Sequence, residues 1–249
     1  MLGTYYAVLG WMRWGRRYRI HELARVRARF TQLLRQDSTP MVICANHLTL
    51  IDSFLIIWAL SPGWKCLLNS ARFAWNLPER RNFYNNLLLR TLCYLGKCIP
   101  VVRRGPREET KRVLDRVGYL LELGQTIMIF PEGGRSRTGR VDKDNAAYGV
   151  GTILQETPDA RVLCVYLRGR RQDQYSDFPV KGEEFRVELR MLNPHSDHHG
   201  LRGARDIATQ IVQNLVEMEE CHFGSAVSTP PSVIVSPQPE SSASIPTRQ

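Results

Sequence analysis

A chain of 249 residues with 43% apolar content can bury one large core and still present a polar surface, so one main domain, with at most a small appended element, is expected. Its 34 Lys+Arg against 24 Asp+Glu give a net charge of +10, which suits a nucleic acid, an anionic membrane surface or a phosphorylated substrate. The six cysteines (44, 66, 93, 98, 164 and 221) lie mostly in apolar runs without paired C-x-x-C spacing, which argues against zinc and redox motifs and for buried reduced thiols in a reducing compartment.

The opening "MLGTYYAVLGWMRW" has no basic region ahead of its short apolar run, so it does not read as a signal peptide. Residues 11–35 follow with eight arginines and one glutamate between Arg13 and Arg35, and with Trp11, Trp14, Ile20, Leu23, Phe30 and Leu34 at broadly helical spacing. This pattern predicts a basic amphipathic helix with aromatic anchors, either lying in the interface plane of an anionic membrane or packed on the domain as a solvated helix. Residues 41–60 are the most apolar stretch, but "NHLTLID" interrupts them before the roughly 18 residues needed to span a bilayer. The chain is therefore expected to lie on a membrane without crossing it.

"MVICA" (Met41–Ala45) reads as a buried strand feeding a helix over about residues 50–60. Residues 107–124 carry Val113, Leu114, Val117, Leu120 and Leu121 at helical spacing and end in Gly124, a helix with a left-handed glycine cap. "TIMIF" (126–130) and "RVLCVYL" (161–167) read as buried strands, and "FRVELRML" (185–192) alternates like a half-exposed one. Alternating strands and helices point to an α/β fold, a mixed and mostly parallel sheet flanked by helices. The last 26 residues, with seven Ser and five Pro, read as a disordered tail from Gly224. The expected organisation is a membrane-contacting segment (1–35), a main domain (36–223) and the tail (224–249).

"NHLTLID" places Asn46, His47 and Asp52 at the strand–helix junction. On one continuous helix His47 and Asp52 would stand about 140° apart, so they meet only if His47 precedes the helix. Thr49 is a good N-cap residue and Asp52 falls at the capping-box position, giving the carboxylate a structural reading beside a catalytic one. His47 has no such structural reading; with its other ring nitrogen held by an acid it is a candidate base. No G-x-S-x-G supplies a nucleophile, which leaves a substrate hydroxyl as the attacking group. "NPHSDHHG" (193–200) gathers three histidines and Asp197, but reads as a turn and not as a metal site.

"NHLTLID" (46–52) resembles the first motif of the glycerolipid and lysophospholipid acyltransferase family. "GKCIPVVRRG" (96–105) is similar to its second, and "FPEGGRSRTG" (130–139) to its third. The family resemblance, which includes the 1-acylglycerol-3-phosphate O-acyltransferases, covers roughly residues 40–170. This chain has Gly134 where Thr is common, Val102 where an acid is common, and Cys164 at the proline position of the fourth motif. The resemblance implies that His47 and Asp52 are catalytic and that Asn46, Arg103, Phe130, Pro131, Glu132, Gly133, Gly134 and Arg135 line the substrate site. Arg103 and Arg135 are expected to bind an anion, whereas Arg104, Arg137 and Arg140 are read as solvated surface. Glu132 either orients an arginine or the acceptor, or pairs locally at the strand end. The implied activity is acyl transfer from acyl-CoA or acyl carrier protein to a lysophospholipid, most plainly 1-acylglycerol 3-phosphate, in phospholipid biosynthesis or remodelling, with no cofactor or metal. The alternatives are a phosphate-free acceptor such as an amino-acid lipid, or a catalytically silent lipid-binding protein on the same fold. The expected location is the cytoplasmic face of an anionic membrane. Nucleic acid is not expected, because no nucleic-acid-binding fold is recognisable.

Overall fold

The computed structural model describes residues 2–36, 39–63, 73–83, 86–102 and 105–227. In chain order the elements are α1 (Leu2–Gly10), a π-helical turn (Trp11–Gly15), β1 (Arg19–Ile20), α2 (Leu23–Gln36), β2 (Met41–Ala45), α3 (Asp52–Leu60), β3 (Trp75–Asn76), α4 (Arg80–Phe83), α5 (Leu87–Leu95), α6 (Arg107–Glu122), β4 (Ile127–Ile129), α7 (Gly149–Glu156), β5 (Arg161–Gly169), β6 (Glu184–Leu192) and α8 (Gly200–Val227).

The six strands order as β1-β6-β5-β2-β4-β3, and every neighbouring pair is parallel except β5 with β6. This is the mixed, mostly parallel α/β sheet that the alternation of strands and helices predicts. β2 is buried at every position and β5 at every position after Arg161, because both faces of these central strands are covered. Met41, Ile43 and Ala45 of β2, with Leu163, Val165 and Leu167 of β5, face the core shared with α1, α2 and α3. Val42, Cys44, Val162, Cys164 and Tyr166 face the opposite core with α6, α7 and α8. Because β2, β4 and β5 run parallel, their carboxyl ends share one edge of the sheet, where α/β folds place their sites.

The N-terminal region departs from the expected single helix over 11–35. Arg17 and Glu22 adopt left-handed backbone angles (φ 58° and 45°), and Arg19–Ile20 between them pairs in parallel with β6. The N–H groups of Arg19 and His21 donate to the carbonyls of Glu183 and Phe185 (3.0 and 2.8 Å). A free strand edge offered by distant residues thus overrides local helical spacing. Only α2 keeps the basic amphipathic pattern, burying Val26, Phe30 and Leu33. Tyr5, Met12, Tyr18 and Ile20 are also buried in the main core, so this region is built into the domain.

α6 ends as its sequence predicts: Gly124 takes φ 68°, and the Gln125 N–H reaches back to the Leu120 carbonyl at 2.9 Å. The long helix α8 is absent from the sequence reading, although Ala204, Ile207, Ala208, Ile211, Leu215 and Met218 recur at helical spacing and are all buried. It runs to Val227, and residues 228–249 lie outside the described residues.

Candidate active site

The chain leaves β2 at Ala45 and enters α3 at Asp52, and residues 46–51 form the loop between. Asn46 is buried and holds β2 to β5 through both ends of its amide: Nδ2 donates to the Leu167 carbonyl (3.0 Å), and Oδ1 accepts the Leu167 N–H (2.8 Å). With the amide spent on backbone, Asn46 serves the sheet edge from which the loop departs.

His47 precedes the helix, as the spacing argument requires. Its Nδ1 lies 3.0 Å from Asp52 Oδ2, and its ring stacks on Phe130 with centroids 4.0 Å apart and planes 16° from parallel. Asp52 is buried and organises the whole loop. Oδ2 also accepts the N–H groups of Leu48 (2.7 Å) and Thr49 (2.8 Å), and Oδ1 accepts the Thr49 hydroxyl. The N-cap of α3 is Ile51, without a side-chain cap, so the capping box expected from Thr49 and Asp52 does not form; Asp52 is the first helical residue, and both the N–H and the hydroxyl of Thr49 turn to its carboxylate. One carboxylate therefore both holds the loop ahead of α3 and pairs with the imidazole. Accepting from Nδ1–H fixes the tautomer that leaves Nε2 as a base.

The loop after β4 closes on His47 from three directions. Phe130 supplies the ring stack. Glu132 Oε1 accepts the His47 N–H (3.2 Å), and the Ser136 N–H donates to the His47 carbonyl (2.9 Å). The other oxygen of Glu132 accepts the Asp142 N–H at 3.1 Å, so this buried carboxylate clasps two backbone segments. Burial lifts its pKa from 4.5 to about 7 against the opposing pull of those two hydrogen bonds. Pro131 is buried, and its carbonyl accepts the Ala147 N–H (2.8 Å). Gly133 takes φ 66°, with no room for a Cβ beyond close contact with Ala147, and Gly134 beside it is partly exposed.

Arg135 pairs with Asp177 (2.6 Å) and lies over the Tyr175 ring (5.5 Å). Arg103 and Arg104 lie outside the described residues; next to them, Ile99 and Val101 donate to the carbonyls of Asn76 and Pro78 (2.8 and 3.0 Å). Arg140, read from sequence as solvated surface, sits 3.9 Å over Phe223 and 3.8 Å from Glu219. Three partners of the site were not read from the sequence. The Ser176 N–H donates to the Leu48 carbonyl (3.1 Å), the Leu50 N–H donates to the Asp177 carbonyl (3.2 Å), and Glu219 of α8 accepts from the Tyr166 hydroxyl (3.2 Å) and the Val141 N–H. All three depend on packing between segments distant in the chain. His195 and Asp197 pair at 3.2 Å on the exposed 193–199 segment, far in the chain from the His47 loop.

This arrangement can remove a proton at Nε2 and stabilise the imidazolium through Asp52. The Ser136 hydroxyl is committed to the Arg140 carbonyl and is not offered to His47 as a nucleophile. Two comparisons bear on what the arrangement is for. The fruit-fly (Drosophila melanogaster) protein Tafazzin is 29% identical over 150 residues, covering 55% of this chain and 35% of that protein, so the chain spans about a third of the length of this curated relative. A family model described as Acyltransferase matches residues 17–191, a span that begins ahead of β1 and contains the whole His47, Asp52 and 130–139 constellation. With the match covering most of the chain, and the paired imidazole and carboxylate held at the sheet edge within it, the chain belongs to the acyltransferase family.

Proposed function

We propose that this chain is a peripheral membrane O-acyltransferase that moves a fatty acyl group from a thioester of coenzyme A or acyl carrier protein to the hydroxyl of a lysophospholipid. 1-Acylglycerol 3-phosphate is the leading acceptor, and the cytoplasmic membrane face is the place of action. His47 Nε2 takes the hydroxyl proton as the oxygen attacks the thioester carbonyl. The acyl C–S bond then breaks, a C–O ester bond remains, and the proton passes to the departing thiolate. Asp52 holds the imidazole and balances its transient charge, and general-base help by His47 of this kind contributes about a hundred- to ten-thousand-fold. Backbone N–H groups around Gly133 and Gly134 are the proposed partners of the developing oxyanion, and Arg103 and Arg135 those of the acceptor's anion. Among the described residues no helix is long and apolar enough to cross a membrane, which supports contact with lipid from the surface.

The observation that carries the reading is the His47–Asp52 pair at 3.0 Å, clasped by Phe130, Glu132 and Ser136. The test is incubation of purified protein with a panel of lysolipids and labelled acyl-CoA or acyl carrier protein, beside His47→Ala. Transfer by the wild type and its loss in a folded His47→Ala support the reading. Lipid binding without transfer from any donor would favour the silent lipid-binding alternative. One observation favours a phosphate-free acceptor as the second reading: Asp177 already neutralises Arg135, so the arginine is not waiting for a phosphate.

A further inference from the structure

One edge of the molecule combines exposed aromatic side chains with arginine, and residues 10–20 contain no acid. Trp14 is 75% exposed and Trp11 42%, while Phe178 and Val180, from the loop between β5 and β6, are 48% and 50% exposed. The two segments are joined. Trp11 and Phe178 meet edge to face with centroids 5.5 Å apart, the Tyr18 hydroxyl donates to the Pro179 carbonyl (2.8 Å), and the Gly182 N–H donates to the Arg16 carbonyl (2.8 Å). Arg16 also donates to the Pro179 carbonyl and lies 5.9 Å over Trp11. Arg13, Arg17 and Arg19 are exposed beside them. At its other end the same loop reaches the catalytic loop through Ser176 to Leu48 and Leu50 to Asp177.

Isolated exposed apolar residues are ordinary, but a contiguous aromatic patch collared by arginine is the composition of a surface that rests at a bilayer interface. We infer that Trp11, Trp14, Phe178 and Val180 form a docking platform for an anionic lipid bilayer, assembled from two segments distant in the chain and keyed through Ser176 and Asp177 to the His47 loop. The platform rests on the reading of the chain as an enzyme of lipid acceptors, and adds a contact outside the N-terminal segment. The arginine collar selects anionic headgroups over zwitterionic ones. Insertion of the side chains brings the mouth of the site to the membrane, so a lysolipid can reach His47 without leaving the surface.

The test uses the full chain with vesicles of phosphatidylcholine alone or mixed with phosphatidylglycerol. The wild type is expected to sediment with the mixed vesicles, and lipids brominated on the acyl chains should quench its tryptophan fluorescence. Changing Phe178→Ser together with Val180→Ser should weaken vesicle binding about tenfold. Arg13→Glu, which leaves the aromatic side chains in place, should weaken binding at least about fivefold, and only with phosphatidylglycerol present. Both variants should also lower the ratio of transfer to vesicle-embedded lysolipid over transfer to a monodisperse short-chain lysolipid. Unchanged vesicle binding in both variants overturns the platform. So does loss of a wild-type dimer in the Phe178/Val180 variant with vesicle binding intact, which would assign the patch to a second copy of this chain. If the wild type transfers no acyl group from any thioester, the proposed function fails while the vesicle measurements still decide the platform.

Discussion

Replacing Glu132 with glutamine removes its charge but leaves its size and reach, and two opposing terms follow from the structure. Burial lifts the carboxyl from 4.5 to about 7, so at higher pH the ionised form costs the folded protein about 3 kcal/mol, at roughly 1.36 kcal/mol per pH unit. Glutamine removes that cost. Yet both carboxylate oxygens accept a backbone N–H, from His47 and from Asp142, and an amide can accept at only one position. Its NH2 group then faces the other N–H, and an unpaired buried donor costs about 1–3 kcal/mol. Above pH 7 the two terms nearly cancel, so Glu132→Gln should melt within a few degrees of wild type, while kcat falls about ten- to a hundredfold as the His47 backbone loses its anchor.

The pH dependence gives a second reading of the same residue. Between 4.5 and about 7 the native state keeps a proton that the unfolded state has released. The stabilising contribution of the raised carboxyl is therefore full below 4.5 and is lost as pH rises through about 7. Melting temperatures at about pH 5 and about pH 8 should show this decline in the wild type, and the glutamine variant should lack its Glu132 component. Identical pH profiles in the two proteins, with unchanged kcat, would refute the clasp. A raised acceptor KM with unchanged kcat would instead place the carboxylate on the substrate.

Asp52→Asn weakens four hydrogen bonds at once, so it should lower stability by roughly 2–3 kcal/mol and kcat by at least about a hundredfold; denaturant titration beside steady-state kinetics measures both, and a rate loss no larger than the unfolded fraction would leave only the structural role. Gly139→Ala puts a Cβ at φ 72° against the Asp173 carbonyl, so the variant should be destabilised by about 3 kcal/mol or more, read as a lower denaturant midpoint. Asp177→Asn frees Arg135 and should lower the KM for a lysophosphatidic acid about threefold or more relative to a phosphate-free lysolipid; an equal change for both acceptors would show that Arg135 does not read the phosphate.

Several features of this protein are set locally, and its sequence alone determines them. The run Met41–Ala45 is apolar at every position and too short for a helix, so it must be a strand covered on both faces. The apolar period from Val113 to Leu121 and the glycine after it define α6 and its end. The five-residue step from His47 to Asp52 excludes a shared helical face, so the two side chains can pair only with His47 ahead of the helix. Tertiary structure alone decided the rest, because each remaining feature is a bond between groups far apart in the chain. Arg19–Ile20 became a strand only because β6 offered an open edge. Glu132 became a clasp because β4 delivers its buried carboxylate between two backbone donors, one of them across the sheet. Asp177 reached Arg135, and Phe178 reached Trp11, only because the loop between β5 and β6 folds back over the His47 loop. Periodicity and capping rules describe neighbours within a few residues, whereas the partners of a buried carboxylate or an open strand edge are supplied by whichever distant segment the core brings within hydrogen-bonding reach.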